Sequence, residues 1–218
     1  MTLNQELEFF LSKFSHELRN PLTSVYSTLQ LIQTQHPEVK DYKYWSNLIG
    51  DIEYMNELLE ELSDYSKSER LSLSSFSLHT LLSQVSLSFA ASIADSDVEY
   101  TSKISDSLPQ ITGDKTKLQE VFLNLLKNAY EATLPNKSIY LDASHNDKEV
   151  CITIKDTGCG IAKEQLPTIF NPFVTYKKEG TGLGLAICDH IVKAHGGSIT
   201  VESDIDCGTT FRVTLPIT

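Results

Sequence analysis

Glycine is spread so unevenly along the 218 residues that it divides the chain in two. Residues 1–112 contain a single glycine, Gly50, and the other nine fall between Gly113 and Gly208. Glycine punctuates regular structure with turns and tight loops, so the first part reads as nearly uninterrupted helix and the second as a loop-rich mixed domain. Seven serines between Ser63 and Ser77 mark the boundary region. The expected organisation is a helical segment at 1–66, a linker at 67–75 and a second domain at 76–218, a length sufficient for two cores.

Bulk properties exclude several classes of function. A formal charge of −11 argues against nucleic acid as a partner, because phosphate backbones demand a basic face. A single nucleotide needs only a local positive site and stays possible. Cys151, Cys159, Cys188 and Cys207 form no C-x-x-C pair and read as reduced cytosolic thiols. No run of about 18 apolar residues is present, so no membrane contact of this fragment is expected. The stretch LEFFLSKF is too short and too charged for a secretory signal. The expected location is the cytoplasm, either for a soluble protein or for the cytosolic part of a membrane-bound sensor.

In the first half, Leu11, Phe14, Leu18, Leu22, Val25, Leu29 and Ile32 recur in steps of three and four, with one extra step beside Pro21. A second seam runs through Trp45, Leu48, Ile52, Met55, Leu59 and Leu62. Polar punctuation at Gln35, His36 and Pro37 separates them. Two seams on a short connection predict an antiparallel helical hairpin. One hairpin covers two such stripes poorly, so a homodimeric four-helix bundle is the economical arrangement. His16 follows Phe14 and precedes Leu18 by two residues each, which turns it about 160° away from both. It is expected on the outer face. The cluster FSHELRNPL therefore offers its histidine to another molecule, while Pro21 removes a backbone donor and frees the carbonyl near Glu17.

In the second half, SIYLDAS and EVCITIKD read as one strand pair joined at HNDK, and SITVES and TTFRVTL as another. Helical patterns cover Leu78–Ile93, Lys115–Ala132 and Leu183–Ala194. Antiparallel strands with helices grouped on one face predict an α+β two-layer sandwich.

Four segments of this domain carry groups that such a core does not require. In EVFLNLLKN, Glu120, Asn124 and Asn128 recur every fourth residue and stack on one stripe, although asparagine is a poor helix former. In DTGCGI, directly after a strand, Asp156 can accept a hydrogen bond from an exocyclic amine, and Gly158 and Gly160 allow close backbone approach to a ring. In EGTGLGLAI, a glycine run opens a helix whose N–H groups and dipole suit a polyphosphate. CGTTF is a glycine turn into a strand. The spacing fits neither a Rossmann fingerprint nor a P-loop.

Taken together in this order, the motifs resemble those of the sensor histidine kinases of two-component signalling. HELRNP resembles the phosphoacceptor box, EVFLNLLKNA the N box, DTGCGI and GTGLGL the two glycine boxes, IFNPF the F box, and GTTF the last glycine motif. The likeness spans nearly the whole chain and is nearest to the nitrogen-regulator and sporulation kinase branch. It implies a dimerisation and histidine-phosphotransfer bundle followed by a Bergerat-type ATP-binding domain, with no sensor domain, as a natural or truncated kinase core. His16 is then the phosphoryl acceptor, Glu17 the carboxylate that takes its proton, and Asn20, one turn on, a residue that orients water when the partner regulator is dephosphorylated. The implied cofactors are ATP and Mg2+, with Asn128 and Glu120 on the metal side, Asn124 supporting them and Lys127 reaching a phosphate. Asp156 recognises adenine beside Gly158 and Gly160, Thr209 borders its pocket, and Gly180, Gly182 and Gly184 shape the lid and phosphate cradle. Phe170 and Phe173 anchor that lid. The implied partners are a second copy of the chain and a response-regulator receiver domain.

Alternatives within the same nucleotide fold are an ATPase and a dimeric pseudokinase. A zinc protease is excluded, since H-E-x-x-H would require histidine at Asn20. His190 and His195, five apart, do not share a helix face and are expected to be structural.

Overall fold

The computed structural model describes residues 3–68, 71–133, 137–177 and 180–217, with side chains from residue 13 onward. It forms two compact units, Met1–Lys67 and Ser68–Thr218.

The first unit is a helical hairpin of α1 (Leu3–Gln35) and α2 (Trp45–Lys67), joined through a 3-10 turn at Pro37–Asp41. Three side-chain hydrogen bonds show the two helices running antiparallel. Arg19 donates to the Leu59 carbonyl at 3.1 Å, Tyr26 to Glu53 at 2.8 Å, and Trp45 Nε1 to Gln33 at 2.9 Å. Ile52 and Val39 are buried, but Phe14, Leu18, Val25, Leu48 and Met55 of the two seams stay 40–48% exposed in a single chain. One hairpin does not cover its own apolar stripes; the side chain of Leu11, the first seam position, lies outside the described residues. Helix α1 continues through Pro21, which lacks the N–H that would donate to the Glu17 carbonyl. No helix among the described residues is long and apolar enough to cross a membrane.

The second unit is a two-layer α+β domain. Its remaining elements are β1 (Ser74–Ser77), α3 (Leu78–Ser92), β2 (Glu99–Ile104), β3 (Gln110–Gly113), α4 (Lys115–Ala132), β4 (Ser138–His145), β5 (Glu149–Asp156), α5 (Gly184–Ala194), β6 (Ser198–Asp204) and β7 (Gly208–Pro216). The main sheet has the order β2-β4-β5-β7-β6, and β1 pairs with β3 in a small second sheet. Ser74 and Ser75, within the serine-rich stretch, are already strand residues; Glu69 and Arg70 of that stretch lie outside the described residues. The two strand pairs expected from the sequence, β4 with β5 and β6 with β7, are antiparallel, and a strand not anticipated there, β2, runs parallel to β4 at one edge. In EYTSKI only Tyr100 and Ile104 carry large apolar side chains, because an edge strand has little to bury, and so the periodicity is faint.

Register explains where the core ends. Leu141, Ile154 and Phe211 sit opposite one another across three strands, and Ala143, Ile152 and Val213 form the next row. All six are buried. On the other layer, Leu118, Val121, Phe122, Leu125 and Leu126 of α4 are completely buried. Each such burial stabilises by about 1.5–3 kcal/mol, so packing rather than helix propensity holds α4 in place. One step beyond the apolar rows, the period of two brings Asp156 and Thr209 to the same inward face, opposite Ile139 on β4. The hydrophobic core therefore stops at a carboxylate and a hydroxyl.

Asp114 caps α4 by accepting the Lys117 N–H. His195, at the end of α5, donates from Nδ1 to the Ile191 carbonyl at 2.7 Å, and its Nε2 accepts the Asp114 N–H at 2.8 Å. This fixes the neutral tautomer and ties the end of α5 to the start of α4, a structural task. His195→Ala is expected to destabilise the domain by about 1–3 kcal/mol, since a part-buried N–H loses its acceptor. A denaturant midpoint unchanged from wild type would contradict this role.

Candidate functional site

In the helical unit, His16, Glu17 and Asn20 are exposed while Ser15, one residue earlier, is fully buried. Glu17 lies 3.9 Å from Lys13, an exposed pair of small energetic weight. The histidine thus meets solvent on a helix whose other face packs on α2.

In the second unit, the site is built around Asp156, which is 2% exposed. Its Oδ1 accepts the Gly158 N–H at 2.8 Å and the Thr209 N–H at 3.2 Å. Both of these bonds fall on Oδ1, and neither uses Oδ2. Burial pushes the Asp156 pKa above the usual carboxylate range, against the opposing hydrogen bonds from Gly158 and Thr209. A desolvated carboxylate with one oxygen fixed and the other outside those bonds is suited to a single ligand donor.

The neighbouring loops are locked by close backbone approach. A Cβ at Gly158 would collide with the Ala132 carbonyl, and one at Gly160 (φ +70°) with the Asp204 carbonyl. Contacts within the chain itself already demand glycine at both positions, besides any demand from a ligand. Ser203 joins the two loops: its hydroxyl donates to the Gly208 carbonyl, accepts the Ile161 N–H at 2.8 Å, and lies 2.9 Å from the Thr209 hydroxyl.

Along α4, Glu120, Asn124 and Asn128 are all partly exposed on one stripe. Asn128 Nδ2 donates to Asn124 Oδ1 at 3.0 Å, which orients both amides. Asn124 in turn lies where a side chain on Gly184 would be, 2.8 Å from its Cβ direction, so the amide stripe meets the first turn of α5. Lys127 is exposed and 3.9 Å from Glu131. Gly182 accepts the Phe173 N–H at 3.0 Å and closes the base of the connecting segment, while Gly180 packs against Thr175. Phe170 anchors this segment by an edge contact with Phe211, ring centroids 6.4 Å apart. Phe173 does not anchor it through its ring, which is 59% exposed on a backbone at φ +63°.

The structure thus brings Asp156, Gly158, Gly160 and Thr209 together at one end of the core, and Asn124, Asn128 and Gly184 together beside the first turn of α5. Three contributors have no signal in the sequence: Ser203, Glu131 and Lys177. Lys177 donates to Asn128 Oδ1 at 2.7 Å and pairs with Glu131 at 2.5 Å. Ser203 sits in an ordinary alternating strand, and the lysine–glutamate pair joins positions 46 residues apart, so neither leaves a local trace.

Comparison with known proteins agrees with this geometry. Residues 6–71 match the family model of the His Kinase A (phospho-acceptor) domain, and residues 113–218 that of the histidine kinase-, DNA gyrase B- and HSP90-like ATPase. Sporulation kinase C of Bacillus subtilis (strain 168) is 35% identical over 93% of this chain, which spans 47% of that relative. The crystal structure of full-length ShkA in complex with AMPPNP superposes with a TM-score of 0.82 at 28% identity, covering 95% of this chain and 46% of that one. Histidine kinase ThkA in complex with the response regulator protein TrrA gives a TM-score of 0.71 at 26% identity, covering 99% of this chain and 64% of that one. The chain belongs to the sensor histidine kinase family, with a phospho-acceptor unit followed by a kinase-type ATPase unit.

Proposed function

We propose that this chain binds ATP with Mg2+ in its second unit, transfers the γ-phosphoryl group to His16, and passes it to an aspartate of a response-regulator partner. The observation that carries this reading is an outward His16–Glu17 pair in a chain whose other unit ends its core at the buried carboxylate of Asp156. In the proposed step a neutral imidazole nitrogen of His16 forms a bond to the γ-phosphorus as the bond to the ADP oxygen breaks, and ADP departs. The nucleophile is the imidazole in its unprotonated form. Its second ring nitrogen then sheds a proton, for which Glu17 is the adjacent carboxylate, a contribution of roughly 10²- to 10⁴-fold.

Asp156 Oδ2 accepts the exocyclic amine of adenine, with Gly158, Gly160 and Thr209 around the base. Gly180, Gly182 and Gly184 leave backbone N–H groups for the phosphates at the start of α5, and Lys127 supplies a cation. The donor set fits magnesium. No cluster of three metal-ligating His, Cys, Asp or Glu occurs among the described residues, whereas Asn128 Oδ1 already faces a cation, the Lys177 ammonium. Magnesium commonly takes few protein ligands and completes its shell with phosphates and water. Asn128 would hold it directly, whereas Glu120, about 12 Å back along α4, is too far along the helix to share the same ion and supports the stripe through Asn124; the ion would supply charge neutralisation on the phosphates.

The seam residues left exposed on the hairpin support pairing with a second copy into a four-helix bundle. Sedimentation should then give twice the 24.4 kDa chain mass, and a monomer at micromolar concentration would contradict it. Asn20, exposed one turn on from His16, would orient water in a phosphatase role toward the regulator, and the activity belongs on the cytosolic side where ATP and regulators meet. Incubation with γ-labelled ATP and Mg2+ tests the central proposal. An acid-labile, base-stable label on the protein is expected; free phosphate alone would mark an ATPase, and neither product a nucleotide-holding pseudokinase.

A further inference from the structure

Lys177 lies between Phe173 and Gly182, the two residues whose backbone hydrogen bond closes the base of the segment. Its ammonium is shared between Asn128 Oδ1 and the Glu131 carboxylate. Those two acceptors are three residues apart on α4 and therefore neighbours on its surface. The amide of Asn128 cannot turn away, because its Nδ2 is committed to Asn124 Oδ1. Asn128 thus presents an oxygen to a cation, with a carboxylate beside it, and a lysine of the same chain fills the place.

The same oxygen is the proposed magnesium ligand, so a role for Lys177 at this position rests on the nucleotide reading. A divalent ion about 2.1 Å from Asn128 Oδ1 and an ammonium at hydrogen-bond distance from it would stand within a few ångströms of each other. Like charges so close repel strongly in a partly desolvated site. The two cations exclude one another.

We propose that Lys177 is an internal counter-ion that occupies Asn128 Oδ1 in the nucleotide-free protein and is exchanged for the divalent ion of an incoming metal–nucleoside triphosphate, so that Lys177 sets part of the divalent-ion requirement for binding. Glu131 keeps the ammonium near α4 before the exchange. Lys127, 3.9 Å from the other oxygen of Glu131, adds a second positive charge next to the same carboxylate.

Binding of a fluorescent, non-hydrolysable ATP analogue is to be measured against Mg2+ concentration for wild type, Lys177→Gln and Lys177→Arg. Lys177→Gln should reach half-maximal binding at several-fold lower Mg2+, and Lys177→Arg should keep a requirement close to wild type. Unchanged half-saturation in Lys177→Gln overturns the proposal, and so does a raised one, which would make Lys177 a phosphate ligand instead. A second readout needs no nucleotide. Because Lys177 ties this segment to α4 through Asn128 and Glu131, amide hydrogen exchange over Phe173–Lys177 should quicken in Lys177→Gln and in Glu131→Gln, and equal exchange in all proteins overturns the proposal. Failure of the underlying reading is distinguishable, because then all the proteins, wild type included, bind no nucleotide at any Mg2+ concentration.

Discussion

Replacing His16 with alanine is expected to abolish phosphoryl incorporation from ATP while leaving nucleotide binding and folding intact. The imidazole is exposed on α1 and outside the hairpin packing, so its removal opens no cavity. Alanine is the better helix former, and surface changes of this kind stay within about 0.5 kcal/mol of wild type. Chemically the loss should be complete, because removing the nucleophile leaves no bond to form. Incorporation of label, read beside nucleotide affinity and the thermal midpoint, checks all three statements. Label persisting on the alanine protein would show that another side chain accepts the phosphoryl group.

Asp156→Asn is expected to weaken ATP binding by about 10- to 100-fold, the worth of one hydrogen bond to a charged group. Asparagine can still use its Oδ1 to accept the Gly158 and Thr209 N–H groups, so the loops keep their anchor. The outer atom then becomes an NH2, which meets the adenine amine donor to donor. Stability should move the other way or not at all. Burial raises the Asp156 pKa in the folded state, so the fold favours the neutral acid. That contribution is present below the ordinary carboxylate range and is lost as pH rises through the raised value. At neutral pH the wild-type domain therefore carries a desolvated charge that asparagine removes. Calorimetric titration with an ATP analogue and denaturant unfolding at pH 7 decide the matter. Unchanged affinity would remove Asp156 from the adenine site, and a marked loss of stability would make it a structural residue.

Much of this is legible in the sequence because period and punctuation are local properties. Helix α4 is readable from Leu118, Val121, Phe122, Leu125 and Leu126 at helical spacing, and β5 from Val150, Ile152 and Ile154 at strand spacing. The same alternation, carried one step further, places Asp156 on the inward face. Asn124 and Asn128 stand out as amides where lysine or glutamate would serve a solvated helix better. Strand β2 escapes such a reading because an edge strand with two large apolar side chains writes almost no pattern, and its parallel pairing with β4 depends on the crossover rather than on its own residues. Gly158 and Gly160 are visible as glycines, but the carbonyls of Ala132 and Asp204 that demand them come from other elements. Lys177, Glu131 and Ser203 act only through partners brought close by the fold. Phe173 shows the opposite case: an aromatic residue in a recognisable box, whose ring the structure leaves in solvent.

The central claim is that the terminal phosphoryl group of ATP ends on the imidazole of His16. It is tested most directly by incubating the protein with ATP and Mg2+, digesting at alkaline pH, and locating the modification by mass spectrometry. The expected result is one phosphorylated site, at the histidine of the peptide containing FSHELR. Phosphate found only in solution, or on a residue other than His16, would contradict it.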